Sequence, residues 1–77
     1  MSEKEQLKWS NLIHQFESEI KSGKGFRVLV EIKKMKNIPM DMTIRLQLSN
    51  ILRRLGEYSY SLILLKPLLK NIFGDYY

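Results

Sequence analysis

The first 25 residues carry apolar and polar side chains with the period of an amphipathic helix. The apolar stripe consists of Trp9, Leu12, Ile13, Phe16 and Ile20. Because residues three and four positions apart lie on one side of a helix, this stripe predicts a helix over residues 3–21. Ser2 and Glu5 have the spacing of a capping box, which marks its start. Two glycines in the segment 22–25 predict a short turn at its end.

Residues 26–35 fit two patterns equally well. The residues that alternate as in a strand are Phe26, Val28, Val30 and Ile32. The residues that share a helical face are Val28, Leu29, Ile32 and Met35. A strand here needs a partner, and the only other candidate is residues 58–64. An α+β arrangement with a two-stranded sheet therefore stands as the alternative fold.

A third segment is bounded by a helix breaker and a helix cap. Pro39 disfavours helical geometry at Ile38, and Asp41 can cap a helix that follows it. The apolar residues that share one helical face beyond this point are Ile44, Leu48, Ile51, Leu52 and Leu55. Their spacing predicts a helix from about residue 42 to residue 55. Leu46 lies off this stripe and indicates a second contact face or a partner surface.

The last predicted helix, residues 58–73, follows a tight turn at Gly56 and Glu57. Its regular apolar stripe is Tyr58, Leu62, Leu65, Leu69 and Ile72. Three further apolar side chains lie off that stripe, namely Ile63, Leu64 and Leu68. This helix is therefore apolar around most of its circumference and needs covering on more than one side. Pro67 lacks an amide donor, so we expect a kink or break between Ile63 and Pro67.

Together these segments predict an all-α fold of about four antiparallel helices. We expect two stacked helix hairpins, residues 3–37 and 41–73, in a single domain over residues 1–77. The 77-residue chain is one domain at most, and its 44% hydrophobic and 27% charged residues are typical of a folded protein. It contains no cysteine, so burial of apolar side chains must supply most of its stability.

Composition and motifs argue against a membrane protein and against an enzyme. The longest apolar run, residues 62–65, is far shorter than the roughly 18 to 20 residues that span a bilayer. The N-terminus lacks the apolar segment of a secretory signal, so we expect a cytoplasmic protein with no membrane insertion. His14 is the only histidine, and no phosphate loop, nucleophile motif or metal-ligand cluster accompanies it. The sequence predicts a non-catalytic protein without metal or cofactor.

Residues 45–69 resemble the middle of a tetratricopeptide repeat. In that family a first helix ends at a glycine, an acidic and an aromatic residue follow, and a small residue comes three positions later. The residues that match this pattern are Leu48, Ser49, Gly56, Glu57, Tyr58 and Ser61. The resemblance implies that the aromatic residue, Tyr58, packs back on the first helix. It also implies that Ser61 lets the two helices approach closely.

A weaker copy of the same pattern precedes this one. Its matching residues are Phe16, Glu17, Ile20, Phe26 and Pro39. Phe26 takes the place of Tyr58 and lies 32 residues before it, near the roughly 34-residue period of the family. The copy is degenerate, because Leu29 stands where a small residue is usual. Its turn, residues 22–25, also aligns only with a one-residue shift.

The resemblance implies a protein–protein interaction module or scaffold, whose first helices line a groove for a peptide or protein partner. Carried onto this sequence, the groove positions are His14, Ser18, Lys21, Gln47, Asn50 and Arg54. Asn50 has the amide that a peptide backbone needs. Lys21 and Arg54 could hold a carboxylate of an acidic partner.

The charge of the chain leaves a second function open. Lysine and arginine total 13 against 8 acidic residues, and the net charge of +5 attracts anionic partners. The basic clusters are formed by Lys33, Lys34, Lys36, Arg53 and Arg54. No aromatic residues or nucleic-acid-binding motif accompany them, as expected for solvated helix faces. A small basic nucleic-acid-associated protein is the alternative function.

We also expect that the chain is not self-sufficient as a monomer. One hairpin can cover only one side of the apolar last helix, and repeat arrays need roughly three units to bury a continuous core. The chain is therefore expected either to be a segment of a longer repeat protein or to form a homodimer through its last helix. The residues expected at that contact are Leu64, Leu68 and Ile72.

Overall fold

The computed structural model describes residues 2–73, with side chains as far as Lys70. Its four helices are α1 (Glu3–Lys21), α2 (Gly25–Lys34), α3 (Met42–Arg54) and α4 (Tyr58–Phe73). No strand occurs between residues 2 and 73, so the predicted all-α class is confirmed and the alternative sheet is not supported. The chain divides between Met35 and Lys36 into two compact units, each with one helix hairpin.

In the first unit, α1 packs against α2. The start of α1 is as predicted, because Ser2 Oγ accepts a hydrogen bond from the Glu5 amide at 3.2 Å. The buried apolar side chains of this unit are Ile13, Phe16, Val28 and Ile32. The two from α1 belong to the predicted stripe, which is therefore the side of α1 that carries the core.

Residues 26–35, whose pattern fitted both a strand and a helix, belong to α2 as far as Lys34. Val28 and Ile32 lie four residues apart and are both fully buried, which is the spacing of one helical face. Phe26, which completes the strand pattern, is 80% exposed. The prediction that Phe26 is the aromatic residue that packs back on α1 is therefore wrong.

In the second unit, α3 packs against α4, and α3 has the predicted core face. Asp41 caps α3, since its Oδ1 accepts from the Ile44 amide at 2.9 Å. The buried apolar side chains of α3 are Ile44, Leu48, Ile51 and Leu52. Leu46 is exposed, as expected for a residue off that stripe. Arg45 and Ser49 are also buried, which the apolar pattern did not predict.

The buried face of α4 differs from the stripe predicted for it. The buried residues are Ser61, Leu64 and Leu68, whereas Tyr58 and Leu62 are 65% and 61% exposed. Several faces of α4 are apolar, so spacing alone could not choose among them; the face with the small Ser61 is the one turned to α3. The helix is continuous from Tyr58 to Phe73 with Pro67 inside it, so the predicted break does not occur, while the alternative, a kink between Ile63 and Pro67, stays a prediction.

The burial of Leu64 and Leu68 also corrects the residues predicted for self-association. Both side chains are at most 8% exposed, because they share the face of α4 that is turned to α3. They are core residues and offer no surface to a second copy. The side chain of Ile72, the third predicted contact, lies outside the described residues.

Both hairpins turn through a Schellman motif, in which a glycine after the helix adopts a left-handed backbone conformation. The glycines are Gly23, with φ of 82°, and Gly56, with φ of 87°. The amide-to-carbonyl bonds are Gly23 to Ile20 (3.0 Å), Lys24 to Glu19 (2.8 Å), Gly56 to Arg53 (3.0 Å) and Glu57 to Leu52 (2.8 Å). The predicted turns are confirmed at these two glycines, while Gly25 is the first residue of α2.

Candidate functional site

A surface groove runs along one side of the second hairpin, and we call it the α3 groove. It is lined by Leu46, Gln47, Ser49, Asn50, Arg53 and Leu65. Ser49 is buried and Leu65 is half-buried, so these two residues form the floor. The remaining four side chains are exposed and form the α3 side of the groove.

The groove exists because α3 has a second face beside its core face. Leu46, Asn50 and Arg53 follow one another at intervals of four and three residues, so they lie in one row along the helix. The cap at Asp41 and the glycine turn at Gly56 fix where this row begins and ends. Leu46 lies off the core stripe, and this position was the feature of the sequence that indicated a second face.

The floor of the groove depends on two serines at the contact between α3 and α4. The hydroxyl of Ser49 is hydrogen-bonded to that of Ser61, and Ser49 Oγ also lies 3.5 Å from the Ser61 carbonyl oxygen. The expectation that Ser61 allows close approach of the helices is confirmed. Tyr58 remains 65% exposed, so the expectation that this aromatic residue packs back on the first helix is wrong.

The polar groups of the groove are suited to binding rather than to acid–base chemistry. Arg53 Nη2 donates a hydrogen bond to Asn50 Oδ1 at 3.4 Å. The amides of Gln47 and Asn50 each offer donors and an acceptor, and the guanidinium of Arg53 adds a positive charge. Within the described part of the chain, no three His, Cys, Asp or Glu residues are grouped so as to hold a metal ion.

Arg45 is a buried cation of α3 for which the apolar pattern predicted no role. Its guanidinium donates to the carbonyl oxygens of Pro39 (2.8 Å, Nε), Ile38 (2.8 Å, Nη2) and Leu64 (2.9 Å, Nη1). Leu64 lies on the buried face of α4, so this bond reaches the contact between the two helices. Arg45 thus joins α3, α4 and the segment before α3.

The predicted site residues fall into two groups. Gln47 and Asn50 line the α3 groove, whereas the neighbouring Arg54 is exposed and does not line it. Arg53 is the positively charged residue among those that line it. The predicted positions on α1 are His14, Ser18 and Lys21. These side chains are exposed and belong to the first unit.

The predicted basic clusters lie at helix ends within their own units. Lys33 and Lys34 occupy the last turn of α2, and Arg53 and Arg54 occupy the last turn of α3. Positive side chains at these positions favour the helix, because carbonyl groups give its C-terminal end partial negative charge. Lys36 is exposed in the segment that follows α2. The four charges in the last turns of α2 and α3 therefore have a structural role that requires no nucleic acid.

No helix in the described range, residues 2–73, is long and apolar enough to cross a bilayer. Comparison of the chain with protein-family models, with curated proteins and with solved structures found no match.

Proposed function

We propose that this protein is a non-catalytic interaction module that binds an extended segment of another protein in the α3 groove. The observation that carries the proposal is a groove lined by the exposed Leu46 and the half-buried Leu65 together with the side-chain amides of Gln47 and Asn50. Binding sites for peptides combine apolar contact area with a few polar groups that fix the orientation of the ligand.

The lining of the groove defines the chemistry of the segment. An apolar side chain of the partner would pack between Leu46 and Leu65. The amides of Gln47 and Asn50 would pair with its main-chain groups, since an amide supplies both a donor and an acceptor. Arg53 would bind a carboxylate, for which its planar guanidinium offers two parallel donors. The partner is therefore an apolar segment with an acidic residue.

We also propose that the second hairpin has the helix–turn–helix structure of a tetratricopeptide repeat. The left-handed Gly56, the buried Leu48 and the contact between Ser49 and Ser61 support the proposal. The exposure of Tyr58 weighs against it. In the first hairpin the support is limited to the matching turn at Gly23. The groove proposal does not depend on this similarity.

The test is a selection of peptides from a displayed random library on the immobilised chain, followed by fluorescence-anisotropy titrations with the selected peptide. We expect Arg53→Ala to weaken binding about tenfold or more, because a hydrogen bond to a charged group contributes about 1.5–3 kcal/mol. Asn50→Ala should weaken binding about threefold to tenfold, because a hydrogen bond between neutral groups contributes about 0.5–1.5 kcal/mol. Arg54→Ala is the matched control, because it removes the adjacent guanidinium, which does not line the groove.

Binding that changes less than about twofold in Arg54→Ala and about tenfold in Arg53→Ala would support the groove. The reverse order would favour the position predicted from sequence. Recovery of no binding peptide, or equal binding by all variants, would contradict the proposed function.

A further inference from the structure

The side of α4 turned away from α3 is an apolar surface with one charge at its centre. We call it the outer face of α4; it consists of Ser59, Leu62, Ile63, Lys66 and Leu69. Leu62 is 61% exposed and Ile63 is 58% exposed. Large side chains of this kind are usually exposed in a contiguous patch only where another molecule binds.

The helical spacing places Lys66 among the apolar side chains. Leu62 and Ile63 precede it by one turn, and Leu69 follows it by one turn. The core face of the same helix, with Leu64, lies on the side turned to α3. The outer face is therefore a separate surface with a positive charge inside an apolar border.

Charge selects among the possible occupants. The only charged side chains in residues 58–73 are Lys66 and Lys70, and both are basic. Two copies that meet through this face would bring like charges together, which opposes association. A lipid surface would accommodate Lys66 only by placing its ammonium among anionic headgroups, and vesicle binding therefore tests that occupant separately. A carboxylate on an apolar partner surface complements the face instead.

We infer that the outer face of α4 binds an amphipathic helix of another protein. That helix presents an acidic residue to Lys66 and apolar residues one turn before and after it. Such a helix matches the face because both have side chains in contact at intervals of three and four residues. The site is distinct from the α3 groove and does not depend on the function proposed for it.

The test uses a displayed library of alanine-rich helical peptides with four randomised positions on one face, at spacings of three and four residues. The library is selected separately on the intact chain and on Lys66→Glu. We expect the intact chain to select Asp or Glu between Leu or Ile residues, and Lys66→Glu to select Lys or Arg at the same position. The inversion follows from charge complementarity and would not arise from a merely structural role of Lys66.

Affinity measurements with the selected peptide then locate the contact. We expect Leu62→Ala and Ile63→Ala each to weaken binding about tenfold, because each removes about 1.5 kcal/mol or more of apolar contact. Lys70→Ala is the charge control, since Lys70 does not line the face. Asn50→Ala is the second control, because Asn50 lines the α3 groove and not the outer face of α4. Lys70→Ala and Asn50→Ala should each bind the selected peptide within about twofold of the unchanged chain. Circular dichroism confirms that each variant is folded.

Four outcomes would overturn the inference. One is the recovery of no binding peptide from the helical library, and another is a charge preference that does not invert with Lys66→Glu. The third is a dimer in sedimentation experiments that Leu62→Ala dissociates, which would assign the face to a second copy. The fourth is binding to vesicles of phosphatidylserine and phosphatidylcholine that Leu62→Ala abolishes, which would assign it to a lipid surface.

Discussion

At the scale of single residues, polar side chains bind backbone groups that lie either close by or far away along the chain. Ser2 and Asp41 accept hydrogen bonds from backbone amides three residues away, so their capping roles can be predicted from local sequence. Arg45 instead binds carbonyl groups six, seven and nineteen residues away. Only the folded chain brings these acceptors together, and a charged residue in isolation suggests a solvated position.

The three bonds of Arg45 predict that lysine cannot replace it. A lysine ammonium is a single point of charge, whereas the guanidinium is a planar group that reaches three carbonyls at once. We expect Arg45→Lys to lower the free energy of unfolding by about 2 kcal/mol or more, because buried carbonyl groups lose their donors. Urea denaturation followed by circular dichroism measures the change.

The control for this prediction is Arg53→Lys, which makes the same chemical change at an exposed position of α3. It should alter the unfolding free energy by no more than about 0.5 kcal/mol. Equal losses in the two variants would show that the buried bonds of Arg45 contribute little to stability.

At the scale of helices, prediction succeeded where one face was apolar and failed where several were. The core residues of α1 and α3 are those of their predicted stripes, including Phe16 and Leu48. In α4 the regular stripe contained Leu62, and yet the buried face contains Leu64. The same limit applies to the α3 groove, because the packing of α3 against α4 decides that Arg53 and not the adjacent Arg54 lines it.

The two glycine turns give a different alignment of the two hairpins from the one that the aromatic residues predicted. Gly23 and Gly56 lie at the same position of the same motif and are 33 residues apart. Each is followed by one residue before the next helix begins, so Phe26 corresponds to Ser59. The one-residue shift that paired Phe26 with Tyr58 is therefore not needed, and the turns rather than the aromatic residues are the shared feature.

These turns predict a conformational effect of substitution. A Cβ added at Gly23 or Gly56 would meet nothing within 4 Å, so any loss comes from the left-handed backbone alone. We expect Gly23→Ala and Gly56→Ala each to lower the unfolding free energy by about 1–2 kcal/mol. Asparagine tolerates this conformation better than alanine, so Gly56→Asn should lose clearly less. Equal losses for Gly56→Ala and Gly56→Asn in urea denaturation would contradict the prediction.

At the scale of the whole molecule, the apolar surface is distributed differently from what the sequence predicted. The expectation that the chain needs a partner or further repeats stays a prediction. The residues predicted for that contact, Leu64 and Leu68, belong to the core of the second unit. Among the residues of this unit whose side chains the structure describes, the exposed large apolar ones are Met40, Met42, Leu46, Tyr58, Leu62 and Ile63.

The hydrogen bonds of Arg45 also determine where a fragment that contains the second hairpin must begin. Two of its three acceptors, the carbonyls of Ile38 and Pro39, lie before the first residue of α3. A fragment of residues 37–77 retains both, whereas one of residues 40–77 loses both and leaves two donors of a buried cation without partners. The boundary of an excised hairpin is therefore set by an arginine inside it rather than by its helices.

We expect the fragment of residues 37–77 to be markedly more helical than that of residues 40–77 in far-ultraviolet circular dichroism. The three residues that distinguish the fragments add no helix of their own. Arg45→Lys in the longer fragment should reduce its helicity toward that of the shorter one. Equal helicity of the two unsubstituted fragments would show that the hairpin holds together without the segment that Arg45 binds.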